Sequence, residues 1–352
     1  MLFLYFSYLF SSFISVSCQD FNSTNDASLN CGSFACRLSN QTFTSNTCSF
    51  YASTQNAYYI KKCSTIALNY CLFSSQQNST CIGDQPPITS FAWPGEKCAD
   101  SSDCNSHAKH GCIGGICVGA YLNEYCKTSD DCDPGLRCVN NTCQKQIPVG
   151  GSGCSTDYDC VNHAGCNTGT SLQNSYCVSY YSIGDHMPVG ACSKTNVGAL
   201  CDSGSCMLNN GAYECMKSVK STTFPKTCTS NSDCLSVPDS YFPNNGQLQG
   251  TCTCTYGKTG ASYCSIFPGD SYAADKTKYL KIWIQSDFID KCNTNRRFNM
   301  KCMSDWWGKS SYNNYVYNYM AAFDYPLYTN ADNCVVETLL PDYYQAKKNI
   351  GK

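Results

Sequence analysis

Cys98-Ala99-Asp100-Ser101-Ser102-Asp103-Cys104 and, further on, Cys112-Ile113-Gly114-Gly115-Ile116-Cys117 set the pattern of this chain. A cysteine, four residues, an aspartate and a second cysteine recur at Cys126/Asp131/Cys132, Cys154/Asp159/Cys160 and Cys228/Asp233/Cys234. The closing Cys-x4-Cys pair returns once more at Cys138/Cys143. The stretch from Cys98 to Cys264 holds 21 of the 31 cysteines, so it reads as a disulfide repeat. Each unit is expected to be a pair of short strands or turns punctuated by Gly114-Gly115, Asp133-Pro134-Gly135 and Asn140-Asn141. An interleaved pairing, first to third and second to fourth, is the expectation among three possibilities. The recurring aspartate suits a tight turn, where its short side chain accepts backbone N–H groups.

Composition supports the same reading. Thirty-one cysteines in 352 residues, with only 14% of residues charged, describe a string of small stapled modules. Modules of roughly 30 to 45 residues bury too little apolar surface to fold unaided, so crosslinks replace the core. Such crosslinks persist in an oxidising compartment, which predicts a secreted, extracellular protein.

The N-terminus agrees: Met1 to Val16 is apolar and ends in small residues, the pattern of a secretory signal over residues 1–18. It is short for a membrane span of about 20 residues. Cleavage after Cys18 leaves 30 cysteines, an even number that allows every thiol to pair. Sequons at Asn22, Asn40, Asn78 and Asn140 are candidate N-glycosylation sites. The polar C-terminal stretch from Tyr343 to Lys352 carries no lipid-anchor signal, and a net charge of −2 predicts no nucleic-acid partner.

Outward from the repeats, residues 19–90 carry Cys31, Cys36, Cys48, Cys63, Cys71 and Cys81 at different spacings and are expected to close as a separate three-disulfide module. Pro86-Pro87 and Trp93-Pro94-Gly95 read as the linker into the repeats, residues 91–264. Repeat three (Cys154, Cys160, Cys166, Cys177) opens on Gly150-Gly151-Ser152-Gly153; the pattern then loosens through Cys192, Cys201, Cys206 and Cys215 and returns at Cys228, Cys234, Cys252, Cys254 and Cys264. Units of this kind touch mainly their neighbours, which predicts an elongated, multi-module body.

The Cys-x4-Asp-Cys spacing, the following Cys-x4-Cys and the nearby Gly95 and Gly153 resemble the Dickkopf N-terminal cysteine-rich module, a type also found in secreted proteins of unicellular eukaryotes. The resemblance covers Cys98 to Cys177 well and Cys192 to Cys264 poorly. It implies a small, β-poor, disulfide-held scaffold; no signalling role is carried over, because function does not follow from a scaffold.

Residues 265–352 are different material, with Cys292, Cys302 and Cys334 but three of the four tryptophans and ten of the 26 tyrosines. Leu280, Ile284, Phe288 and Cys292 form a helical stripe, and Phe298, Cys302 and Trp306 repeat it after a break at Asn293-Thr294-Asn295, where Thr294 or Asn295 is expected to cap. Tyr312–Phe323 reads as helix, as do Asp332–Leu340 and the stretch after Pro341, which together predict an α-helical domain. Both the repeats and the tail hold an odd number of cysteines, so a bridge between them is expected, with Cys264 as donor.

Candidate chemistry is sparse. Cys104, His107, His110 and Cys112 have zinc-like spacing, but both cysteines fall on disulfide positions, so no metal or other cofactor is predicted. Asp287 and Asp290 beside Lys291, Arg296 and Arg297 read as an ion-pair cluster, and no catalytic site is predicted. Binding is the stronger expectation. Arg296, Arg297, Trp306, Trp307, Tyr315 and Tyr319 are the interface candidates, since arginine and aromatics concentrate at contact surfaces and ten tail tyrosines are more than a core should hide. The reading is a structural or interaction protein that assembles with itself or with other extracellular proteins or glycans; the alternative is a soluble ligand or inhibitor.

Overall fold

The computed structural model describes residues 28–37, 43–44, 46–63, 70–83, 91–168, 175–190, 197–243 and 246–351. The signal segment, Asn22, Asn40 and Cys192 lie outside these residues. The described residues open on a five-stranded sheet of β1 (Ser33–Cys36), β2 (Thr47–Ala52), β3 (Ala57–Ile60), β4 (Tyr70–Leu72) and β5 (Ser79–Ile82), in the order β1-β3-β2-β5-β4. Only β1 and β3 run parallel.

The repeats follow as antiparallel hairpins: β6 (Gly111–Ile113) with β7 (Ile116–Val118), β8 (Leu136–Val139) with β9 (Thr142–Lys145), and β10 (Ala164–Asn167) with β11 (Tyr176–Ser179). Next come β12 (Pro188–Val189), β13 (Cys206–Asn209) and β14 (Ala212–Cys215), then β15 (Cys252–Cys254) with β16 (Ser262–Cys264). In each of these hairpins two cysteines face each other, and in repeats one to three each reaches back to one of the two cysteines upstream. Repeat one joins Cys98 to Cys112 and Cys104 to Cys117; repeats two and three place Cys126–Cys138, Cys132–Cys143, Cys154–Cys166 and Cys160–Cys177 in the same interleaved way. The loosened region keeps the architecture. Cys201–Cys215 and Cys234–Cys264 occupy the second-to-fourth position, Cys228–Cys252 the first-to-third, and Cys206 is also bridged.

The recurring aspartate does what its side chain suits it for. Asp131 Oδ2 accepts the N–H groups of Lys127 and Thr128 at 2.6 and 3.0 Å, and Asp103, Asp159 and Asp233 repeat the contact. Each closes a capping box on a single 3₁₀ turn, which aims the second cysteine at the hairpin. Hydrogen bonding from Thr229 and Ser230 holds the Asp233 carboxyl below its ordinary range; at Asp159, burial pushes upward but Ser155, Arg137 and Thr156 outweigh it. A depressed folded-state value means the contribution is present above the ordinary carboxylate range and lost as pH falls through it. Acid should therefore loosen the turns. Asp159→Ala is expected to cost about 1–2 kcal/mol at neutral pH, read as a lower urea midpoint, and the difference from wild type should shrink in acid.

Five helices end the described chain: α1 (Ser271–Ile284), α2 (Met300–Trp306), α3 (Lys309–Tyr328), α4 (Asn333–Leu339) and α5 (Pro341–Asn349). The first stripe stops at Ile284, leaving Phe288 exposed, and the second helix is capped by Asn299, whose side chain accepts the Lys301 N–H at 2.8 Å. Thr294 and Asn295 are instead part of a separate 3₁₀ turn capped by Asn293.

Two expectations fail here. Residues 19–90 do not close on themselves: Cys48–Cys71 and Cys63–Cys81 are internal, but Cys31 joins Cys254 and Cys36 joins Cys334. Phe34, Tyr58 and Ile60 pack on Val335 of α4, so the sheet covers the helices and its outer cysteines reach across. Cys264 is spent inside its own repeat, and Cys292 and Cys302 pair within the tail. Parity is met by the N-terminal sheet.

Candidate interaction site where the repeats meet the helices

The link between α1 and α2 is the seam along which the first three repeats attach. Asn293 donates to the carbonyls of Ser129, Asp130 and Cys132 in repeat two, at 3.1, 3.2 and 2.8 Å. Thr294 donates to the Tyr158 carbonyl, while Asn162 of repeat three donates to the carbonyls of Ile289 and Cys292, both at 2.8 Å. The Asn293-Thr294-Asn295 stretch thus breaks the helix in order to dock. Repeat four joins through a shared core of Tyr180, Val189 and Leu200 with Trp283, Ile284 and Met303.

The interface candidates divide sharply. Arg297 is 1% exposed, and its guanidinium donates to the carbonyls of Thr294, Val161, Ala164 and Cys160 and to the Thr294 hydroxyl. Its carboxylate partner from the sequence reading is replaced by backbone oxygens. Trp307 is buried against Trp283 and Tyr315 against Trp307, and burial pushes the Tyr315 hydroxyl far above its ordinary value. Tyr319 is half-buried, with its hydroxyl pushed up to about 12, chiefly by burial. None of the ten tail tyrosines is exposed, contrary to expectation. They pack on each other, as in the Tyr328–Tyr343 stack at 4.2 Å, so ring faces supply the apolar surroundings that a surface reading denied them. Of the six, Arg296, Arg297 and Trp306 contact the repeats directly, and Trp307, Tyr315 and Tyr319 belong to or pack on the core that the repeats share with the helices.

Arg296 and Trp306 mark where repeat one docks. The Arg296 guanidinium lies 3.5 Å from the Trp93 ring centre, and Trp93 also stacks with His107 at 4.7 Å. The Trp306 indole N–H donates to the Gly95 carbonyl at 2.9 Å. Asp305 accepts the Lys97 N–H at 2.9 Å and pairs with Lys301. Asp287 and Asp290 are exposed, and no ion pair joins them to Lys291, Arg296 or Arg297.

Trp93-Pro94-Gly95-Glu96 is therefore not a linker but the opening turn of repeat one. Its Glu96 N–H donates to the Trp93 carbonyl, and its carboxylate accepts the Trp93 N–H at 2.9 Å. Tyr121-Leu122-Asn123-Glu124 repeats both bonds in repeat two. The shared glutamate two residues before the first cysteine was the available signal.

The histidines are not loose loop residues. His107 lies 2.6 Å from Asp131, and His110 lies 2.7 Å from Glu124 while stacking on Tyr121 at 4.5 Å. Cys104 and Cys112 are both in disulfides, so neither offers a thiolate beside these rings. His186 stacks on Tyr241 and meets Asp239 in the same manner.

Glu96 carries an electrostatic signature of the seam. Burial pushes its carboxyl up to about 7 against the opposing pull of the Trp93 N–H, Lys301 and Arg296. Asp324, buried in α3 and facing Asp342, is likewise raised to about 7. A raised folded-state carboxyl contributes stability that is full below the ordinary carboxyl range and is lost as pH rises through the folded value. The urea midpoint should fall between about pH 5 and pH 8, and Glu96→Gln and Asp324→Asn should each flatten part of that fall.

The chain is similar to a Prion-like-(Q/N-rich) domain-bearing protein 25 of Caenorhabditis elegans, 27% identical over 225 residues. The match spans 62% of this chain but only 30% of that protein. No protein-family model and no solved structure matches the chain. What the fold itself shows is a cysteine-rich protein of repeated small modules joined to a helical domain. No helix among the described residues is long and apolar enough to cross a membrane. The density of disulfides suits an extracellular setting.

Proposed function

We propose that this chain is a secreted, N-glycosylated structural or interaction protein, without catalytic activity, that serves as a subunit of an extracellular assembly such as a coat, adhesive or filament. The Dickkopf-like spacing belongs to this reading only as a description of the scaffold. The observation that carries it is the second repeat's opening loop, where Tyr121, Leu122 and Tyr125 are all exposed on a frame pinned by two disulfides. Three large apolar side chains on one rigid loop make a contact surface with little ordering cost. Asn78 and Asn140 are both exposed, and Asn140 sits in the two-residue tip between β8 and β9, where a glycan would clear the frame.

The same loop suits a soluble ligand that occupies a single receptor, so assembly state decides between the two. Light scattering and negative-stain imaging of the native secreted material are expected to show large oligomers or filaments. A strictly monomeric protein with one tight partner would establish the ligand reading instead. Peptide mapping after enzymatic deglycosylation should mark Asn140.

A further inference from the structure

We propose that the opening turn of repeat two, Tyr121–Glu124, is a docking knob for a basic, tryptophan-bearing segment of another extracellular protein. The inference deepens the contact-surface reading by naming what that loop takes. It rests on the chain using one copy of the turn for this purpose and leaving the second copy bare.

In repeat one the turn is fully engaged. Trp93 carries His107 and Arg296, Gly95 takes the Trp306 indole N–H, and Pro94, Gly95 and Glu96 are buried under the tail. Repeat two rebuilds the turn, and a second histidine of repeat one packs against it. Tyr121 replaces Trp93 and stacks with His110 in place of His107; Asn123, with φ of 67°, stands where Gly95 has φ of 90°; Glu124 stands for Glu96 and makes the same bond to its turn. Yet no cation lies over Tyr121 among the described residues, and Tyr121 and Leu122 are 45% and 46% exposed. Repeat three keeps the backbone turn but offers no seat, because Pro148-Val149-Gly150-Gly151 carries neither an aromatic ring nor a carboxylate.

Charge selects the occupant. Hydrogen bonds from His110 and the Tyr121 N–H, aided by Lys109, hold the Glu124 carboxyl down at about 2. With Glu124 already met by Lys109 and His110, it is the exposed Tyr121 ring that suits a guanidinium with a ring N–H donor nearby, the pairing that Arg296 and Trp306 supply next door. The seat is also continuous with an existing interface, since Asn293 already lies along Ser129, Asp130 and Cys132 of this repeat.

The test uses the full chain and a synthetic peptide of residues 291–307, oxidised between Cys292 and Cys302, with a fluorescent label. Saturable binding is expected by anisotropy. Tyr121→Ala in the protein, and Arg296→Ala in the peptide, should each weaken it about tenfold or more. Leu122→Asp, at a half-exposed position outside the cores, provides a second variant, expected to weaken binding, while Val149→Ser in repeat three should leave it unchanged. Absence of saturable binding, or binding indifferent to both Tyr121→Ala and Leu122→Asp, would overturn the proposal. Sedimentation of the chain alone separates the two claims: a monomer that binds the peptide retains the knob and removes the assembly, whereas an oligomer that does not bind retains the assembly alone.

Discussion

Arg297→Ala is expected to lower the stability of the whole chain by on the order of 3–5 kcal/mol, because it leaves buried carbonyls of repeat three without donors. The four carbonyls and one hydroxyl that Arg297 serves lie at the junction of Cys160–Ala164 with the seam, and its own carbonyl accepts the Trp283 indole N–H at 2.8 Å. The side chain thus connects the repeat to the helical core. Lysine should not rescue it, since one ammonium cannot reach several oxygens spread over the plane of a guanidinium. The measurement is a urea titration of Arg297→Ala, Arg297→Lys and Arg296→Ala with hydrogen exchange on repeat three. Arg296→Ala should cost only about 1 kcal/mol, the scale of a cation–π contact. If Arg297→Lys behaves as wild type, the forked geometry is not what holds the seam.

The second large effect is expected from Gly95→Ala. A Cβ there would lie 2.1 Å from the Lys291 carbonyl oxygen and 2.7 Å from Pro134 Cγ, on a residue with φ of 90°. Strain and clash together should cost on the order of 2–5 kcal/mol and separate repeat one from the tail. Gly150 occupies the same turn position in repeat three with φ of 81° and nothing within 4 Å of its virtual Cβ. Gly150→Ala therefore isolates the backbone contribution, about 1 kcal/mol. Tryptophan emission should shift to the red in Gly95→Ala and stay in place in Gly150→Ala; equal losses of stability in the two variants would show that the contact with Lys291 is immaterial.

Local chemistry was legible from the residues. An aspartate before a cysteine names a capped turn, and spacing along the tail names its helices, because both depend on neighbours a few positions away. The seam was harder. Arg297 stands out as one of four arginines, but its acceptors are backbone oxygens, which no side-chain pattern announces. Trp93-Pro94-Gly95 has the composition of a linker, and only its likeness to Tyr121-Leu122-Asn123, two turns that share a glutamate and little else, reveals a repeat. The tail tyrosines misled for a related reason: composition counts hydroxyls, whereas burial here depends on which rings stack. The partners of Cys31 and Cys36 lie 223 and 298 positions away, a separation at which spacing carries no information.

That last separation has a consequence for how the molecule is made and how it is dismantled. Cys36 leaves the ribosome early, yet its partner Cys334 emerges only after all the repeats, so the first sheet must wait as an open thiol while later modules oxidise behind it. Interleaved bridges spanning 11 to 17 positions in repeats one to three let each of those modules lock as it appears. Once the final bridge forms, the backbone between Cys36 and Cys334 is a covalent ring, and a protease that cuts it at any single place releases no fragment from that ring.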